Sequence, residues 1–385
     1  MARDPLLTRA FLACAAANFL QSLSFNLYLH LPGFLHELGA SEVRIGVISG
    51  VWAVAAIAAR PPLGRAMDRW GRRRLVLAAC ATNVFVCALH VAVADLGPLI
   101  YVLRVLHGLA EATLFTVLFT VAVDWVPASR RTEGLALYSA TGMFPISLGG
   151  LLGDAVLARA DYDALFVVSS GIAALSFVVA LGMRERAHAP ADAAAAPRGF
   201  AYALRRADLA PLWMIGTVFG IVLAGVFVFV KRFTMETGAG SVGAFFTAYT
   251  GAAIAVRLAG GRLPDRVGPK RVLIPALAGL VAGFLCLAIA RDAHEVLAAG
   301  VLCGVGHGFA FPTLSSLVVT RAGDRERGVA IAVLTTLPDV GALLGAPSLG
   351  WIIEVAGFSA MFATAGAVLA LGVAAFAVWD RAAGR

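Results

Sequence analysis

Charge is scarce in this chain. Asp, Glu, Lys and Arg make up 14 % of its 385 residues and hydrophobic residues 60 %, where soluble domains carry roughly 25 % charged residues. So few polar side chains cannot cover a water-soluble fold, which excludes that class. Alternating segments of about ten residues are lacking, which excludes a transmembrane barrel. The phosphate-cradling pattern G-x-x-x-x-G-K-S/T is lacking too, which argues against ATP-driven transport. No nucleophile stands beside a base within the apolar segments, so no enzyme is legible. Cysteine is sparse and odd in number: Cys14, Cys80, Cys87, Cys286 and Cys303 all fall in apolar stretches without a C-x-x-C. They read as small packing residues, neither disulfide frame nor metal site. No His/Cys cluster has metal spacing, and no cofactor is implied.

What the chain does have is long apolar runs, with a mean hydropathy of +0.86. The reading is an all-α polytopic membrane protein with twelve spans near 9–31, 43–63, 75–94, 98–121, 133–155, 163–183, 210–230, 242–261, 272–290, 295–319, 328–353 and 357–379. Each supplies the ~20 residues that cross a ~30 Å hydrocarbon core. Trp70, Trp125, Trp213 and Trp379 stand near span borders, as an interfacial belt would. Arg3, an apolar start and "ACAAA" resemble a signal peptide, but the run continues to Leu31, so it is kept as an uncleaved first helix.

Basic residues set the orientation. With the N-terminus inside, 23 of the 31 Lys and Arg fall on cytoplasmic segments and five on outside loops, Lys231 and Arg232 among the latter. The expectation is a cytoplasmic (inner) membrane protein with both termini cytoplasmic. The same spread over short loops explains the net charge of +8 without a nucleic-acid partner. Anionic lipid is the expected counter-surface, and the chain is expected to act as a monomer.

One long connection, rich in Ala, Pro and charge around "RERAHAPADAAAAPRG", divides the chain. Residues 1–183 form an N-terminal six-helix half, 184–209 a cytoplasmic linker with a short surface helix near Phe200 to Arg206, and 210–385 a C-terminal half. The halves repeat. "RPPLGRAMDRWGRRRL" at 60–75 matches "RLAGGRLPDRVGPKRV" at 257–272, and "HGLAEATL" at 107–114 matches "HGFAFPTL" at 307–314. Two six-helix halves related by duplication imply a rocking transporter with its solute near the midplane.

On these residues the chain resembles the major facilitator superfamily over essentially its whole length. The family's G-x-L/A-x-D-R-x-G-R-R signature stands at Gly64–Arg73, as Gly64, Asp68, Arg69, Gly71, Arg72 and Arg73, and recurs as Gly261, Asp265, Arg266, Gly268 and Lys270. A second signature, R-x-x-x-G, stands as Arg104 and Gly108 and is similar to the drug–proton antiporter branch. The resemblance implies a secondary transporter working by alternating access, with proton-coupled efflux as the reading. It gives the first signature the role of an inner gate, with Asp124, Arg130 and Arg131 as nearby partners. A solvated topology signal accounts for the arginines but not for the duplicated aspartates. The glycines Gly64 and Gly71 are expected to permit a tight turn and Asp68 to cap the next turn of helix. The branch's helix-five pattern G-x-x-x-G-P-x-x-G-G is only partly kept: "GMFPISLGGLLGD" has Phe144 before Pro145. Uptake of a small polar solute therefore stays open beside export, as does a non-transporting receptor on the same fold.

Ionisable residues at membrane depth mark the candidate site, because each must face water or a partner. Arg104, His107, Gly108 and Glu111 share one helical face. Glu111 is expected to couple protons, with Arg104 near enough to influence it; a structural paired carboxylate is the alternative. The repeat carries Phe311 in place of Glu111, and His307 in place of His107. Asp339, between prolines, is the acid of the second half, and either a solute anchor or a partner to freed carbonyls. Asn18, Gln21, Ser22 and Asn26 add a neutral polar face on the first span, suited to a solute or to helix packing. Asn83, alone on the third, reads as packing.

Overall fold

The computed structural model describes residues 6–127, 130–183 and 199–383, apart from the side chains at 64, 65, 68, 131–133, 136, 265, 324, 325 and 381–383. Asp68, Asp265, Arg131 and most of the linker thus lie, wholly or by their side chains, outside the described residues. The described chain is helical throughout, with no strands.

Among the described residues, eleven helical stretches are long and apolar enough to cross a membrane. The last, Glu326–Asp380, is 55 residues long and is interrupted at Gly357, whose φ of 82° leaves the helical region. It therefore makes two passes, which brings the described residues to twelve. In order these are α1 (Arg9–Glu37), α2 (Glu42–Gly50 with Trp52–Trp70), α3 (Arg72–Leu89), α4 (Pro98–Trp125), α5 (Arg131–Leu157) and α6 (Tyr162–Leu181). The second six are α7 (Ala210–Thr237), α8 (Val242–Gly260), α9 (Pro269–Ile289), α10 (Ala293–Gly323), α11 (326–356) and α12 (358–380). A short helix, Phe200–Leu204, precedes α7 where the linker ends.

By contact, Met1–Phe34 and Val51–Asp192 form one compact unit, and Leu35–Gly50 and Ala193–Arg385 the other. The first stretch of α2 thus belongs to the second unit.

In the first unit small residues set the helix spacing. A Cβ at Gly108 of α4 would lie 2.0 Å from the Trp52 carbonyl oxygen of α2, and one at Gly149 of α5 would lie 2.7 Å from Asn26 Cβ of α1. Hydroxyls then join α1 to α6. Ser24 Oγ donates to Ser169 O (3.0 Å), and Ser176 Oγ to Ala17 O (2.9 Å). Such interhelical bonds contribute about 0.6 kcal/mol each. Asn83 is not isolated, since Cys87 Sγ donates to its Oδ1 at 3.6 Å.

The second unit uses glycine more heavily. Gly300, Gly304 and Gly308 of α10 lie one turn apart, and their missing Cβ atoms would meet Phe245 O, Tyr249 O and Ala253 O of α8 at 2.8, 2.1 and 2.9 Å. Gly220 of α7 meets Pro338 and Gly341 of α11 in the same way. Only such residues let two backbones touch.

Two expectations are corrected here. Gly64 sits within helix Trp52–Trp70 and Gly261 has an ordinary φ of −58°, so neither makes a tight turn. That duty falls on Gly71 (φ 81°) and Gly268 (φ 96°), at which α3 and α9 begin; the capping expected of Asp68 lies outside the described residues. Lys231 and Arg232, expected on an outside loop, belong instead to α7, which runs on to Thr237, and Arg232 is buried. Its Nε and Nη2 both reach Glu42 Oε1, at 2.9 and 2.8 Å, with the two side chains only 7 % and 12 % exposed. The pair survives there because Glu42 answers the guanidinium locally.

The glycine contact gives a test. Gly108→Ala should lower stability by about 1–3 kcal/mol, the usual cost of overpacking. Gly171→Ala, where a Cβ meets nothing within 4 Å, should leave it unchanged. Thermal midpoints in detergent decide it; equal midpoints would contradict the close α2–α4 crossing.

Candidate transport site

In the first unit the polar face of α4 is completed by other helices. Arg104 is 4 % exposed. Its Nη1 donates to His107 Nδ1 at 2.9 Å, and its guanidinium carbon lies 5.7 Å from the Tyr28 ring centre of α1. A guanidinium only donates, so His107 Nδ1 is the acceptor and the imidazole is neutral with its proton on Nε2. His90, at the end of α3, is the opposite tautomer. Its Nδ1 donates to the Val86 carbonyl (2.7 Å), with the Tyr28 hydroxyl at 3.1 Å from the same nitrogen. Tyr28 and His107 meet edge to face, with centroids 4.4 Å apart. Tyr28 and His90 escaped the sequence reading; a lone imidazole in "CALHVAV" was the signal available for His90.

Glu111, one to two turns further along α4, is half-buried and accepts from the Gln21 amide of α1. Ser22 Oγ in turn donates to Gln21 Oε1 at 3.3 Å. Asn18 Nδ2 donates to Thr141 Oγ1 of α5 (2.9 Å), and Asn26 Nδ2 to Ser22 O (2.7 Å). The α1 polar residues therefore split: Asn18 and Gln21 are buried against α5 and α4, while Ser22 and Asn26 are only half-buried. Further along α1, His30 Nε2 and Asp154 Oδ1 of α5 are 2.9 Å apart, a pair the sequence reading missed.

In the second unit His307 is bound to the Tyr249 hydroxyl of α8 and faces the Phe219 ring of α7 edge to face, with centroids 5.2 Å apart. Arg257 Nε donates to the Gly308 carbonyl at 3.1 Å. Phe311 is half-buried on α10. Asp339 is buried in α11, three residues beyond the buried Thr336.

At the other end of the first unit, Arg72 forms an ion pair with Asp124. Arg73 is spent on helix ends: its Nε donates to Met183 O (2.9 Å) and its Nη2 to Leu181 O (2.8 Å). Arg130 is half-buried, and its backbone N–H donates to Pro127 O at 3.0 Å; Arg69 and Arg266 are exposed. Lys270, which repeats Arg73, pairs with Asp380 of α12, and Arg321 Nη1 reaches the same carboxylate at 2.6 Å. Arg206 ties the linker's end down through Arg321 O and Ala322 O (2.8 and 3.1 Å). It also binds Asp208, a hydrogen-bonded contact that holds this carboxyl below the ordinary carboxylate range.

Twelve passes among the described residues, a duplicated glycine turn and buried ionisable residues in each unit define a polytopic helical membrane protein with a repeated architecture. A family model for the Major Facilitator Superfamily matches residues 11–336 and 234–385, and the chain belongs to that family. It is 24 % identical over 353 residues to a staphylopine export protein of Staphylococcus aureus, covering 89 % of this chain and 88 % of that one. It is 29 % identical over 386 aligned positions to an uncharacterized MFS-type transporter of Salmonella typhimurium, covering 94 % of each. Its fold matches a point mutant of the nucleoside transporter NupG with a TM-score of 0.81 at 13 % identity, over 96 % of this chain and 99 % of that one.

The Arg72–Asp124 pair predicts a thermodynamic cycle. Asp124→Asn and Arg72→Gln should each lower the thermal midpoint, and the double variant should fall well short of their sum. A coupling of about 0.5–3 kcal/mol is the expected range for contacting residues. Strict additivity would remove the pair.

Proposed function

We propose that this family member is a proton-coupled exporter of a small organic solute, working by alternating access in the cytoplasmic membrane with both termini inside. The observation that carries it is the division of labour on α4. His107 is occupied as the acceptor for Arg104, which leaves Glu111, held by a neutral amide, as the acid on that face able to take and release a proton. Coupling requires a site whose proton affinity differs between two states, since equal affinity in both moves nothing. The Gln21 amide that holds this carboxylate comes from another helix, so a shift of α1 against α4 changes the surroundings of the acid. Phe311 at the repeat position supports a one-sided switch. Arg104, His107 and His307 are the proposed supports of the site, and Asp339 the proposed anchor for a basic group on the solute. Asn18, Gln21, Ser22, Asn26 and Phe311 are the proposed lining. The Arg72–Asp124 bond and the Gly71 turn, with Asp68, Arg69 and Arg73 around them, are the proposed inner gate, repeated around Asp265 and Gly268. The name of the staphylopine export protein supports export as the direction.

The experiment begins with a thermal-shift screen of solutes, since binding raises apparent stability. In proteoliposomes with an imposed pH gradient, Glu111→Gln should abolish uphill movement of the solute found and keep exchange down its own gradient. Normal uphill movement would make the carboxylate structural. Uphill movement of solute in the same direction as the protons would establish uptake. Asp339→Asn should weaken binding of cationic solutes more than of neutral ones.

Orientation is tested separately. Cysteines placed at Ala160 and Arg291 should react with an impermeant maleimide in intact cells, while one at Arg205 should react only after lysis. All three positions are exposed, whereas four of the five native cysteines are buried. Labelling of Arg205→Cys in intact cells would invert the topology.

A further inference from the structure

A groove of about 750 Å³ runs between α2, α3 and α4 within the first unit. Its walls include Ala59 and Ala66 of α2, Ala78 of α3 and Ala110 of α4, so its width comes from short side chains. Two hydroxyls line it, and both are spent on their own helices: Thr82 Oγ1 donates to Ala78 O (3.0 Å) and Thr113 Oγ1 to Leu109 O (2.8 Å). The walls thus offer an occupant almost nothing but apolar contact. One end differs. Arg69 and Trp70, in the last turn of α2, lie on the groove and are both exposed, Trp70 at 53 %. Arg72 and Arg73 nearby are engaged with Asp124 and with the end of α6, whereas Arg69 makes no hydrogen bond or ion pair with the described residues.

An apolar slot with an exposed guanidinium and an indole at its mouth has a definite complement. The occupant needs a long aliphatic body and an anionic head. A small phosphate would gain nothing from the alanine walls, and a zwitterionic lipid would answer Arg69 less well than one of net negative charge. We propose that this groove binds one anionic phospholipid, an acyl chain between α2, α3 and α4 and the phosphate on Arg69. Guanidinium and phosphate match as paired donors and acceptors, and tryptophan favours the interface where the headgroup sits. On the orientation proposed above, this is the inner leaflet. One arginine beside anionic lipid corresponds to about a five-fold preference over a neutral headgroup.

Trp70 is its own reporter. The full-length protein is reconstituted with lipids brominated on the acyl chain, and the Trp70 signal is isolated by subtracting the Trp70→Phe variant. Brominated phosphatidylglycerol should quench Trp70 at about five-fold lower mole fraction than brominated phosphatidylcholine. Arg69→Gln should bring the two curves together at the phosphatidylcholine position. Ala78→Phe, at an exposed position that fills the slot, should weaken quenching by both. Added glycerol phosphate should change nothing. Equal quenching by both lipids in the unaltered protein, or a preference that survives Arg69→Gln, would overturn the proposal. Relief of quenching by glycerol phosphate would reassign Arg69 to free phosphate, and relief by the transported solute would reassign the groove to solute access; either also overturns it.

Discussion

Everything in this molecule depends on one constraint: a polar group placed in a membrane-spanning helix must find a partner inside the protein or face a water-filled cavity. Lipid cannot rescue an error there. The chain meets the constraint with local pairs. Glu111 has Gln21, Arg104 has His107 and the Tyr28 face, His30 has Asp154, and Arg232 has Glu42. The partners differ in kind. An amide on a carboxylate leaves a formal charge free to change. An arginine on a carboxylate fixes two charges at once, and losing either strands the other. Glu42–Arg232 thus has the chemistry of a fixed fastening, while the Glu111–Gln21 contact joins an acid to a neutral amide.

Helix spacing then decides where these pairs stand. The duplicated phrase beginning at His107 and His307 keeps the glycine at its second position, because Gly108 and Gly308 each bring a carbonyl of the facing helix within contact. One turn earlier the halves part. The second has Gly304, pressed on Tyr249 O. The first has Arg104 at the equivalent place, which turns a packing position into a buried cation that recruits His107 and Tyr28. A single position accounts for much of the chemical difference between the two helices.

Much of this was legible in the sequence. Composition demanded membrane helices, the repeat demanded two halves, and the i, i+3 spacing of Arg104 and His107 placed them together on α4. Partners from other helices were not legible. Tyr28, His90 and Gln21 reach α4 only through the packing of α1 and α3, which no spacing along α4 encodes. Arg232 is hard to place for a related reason: a charge at the edge of an apolar run reads as loop until its partner, Glu42, 190 residues away, is known. The duplicated glycine-and-arginine signature was legible as a motif, but not which of its glycines makes the turn. Spacing marks where glycines recur, and only backbone geometry separates Gly71 and Gly268, which need a positive φ, from Gly64 and Gly261.

The ends of α3 and α9 carry the comparison one step further. Arg73 and Lys270 occupy the same place in the repeat, and each ties the start of its helix to the end of the last helix of its half. Arg73 does so through the carbonyls of Leu181 and Met183, and Lys270 through the Asp380 carboxylate, which it shares with Arg321. A planar guanidinium suits two carbonyls at a helix end, where it also meets the negative end of the helix dipole. A compact ammonium suits a point charge. Once Asp380 supplies the charge, the fork is no longer needed. The same fastening is thus built twice with different atoms, which is what duplication under a fixed packing geometry permits. Backbone crossings are held by glycine and cannot drift, while the side chains between them diverge freely provided every charge is answered. That freedom lets one half acquire Glu111 while the other keeps Phe311 at the equivalent place.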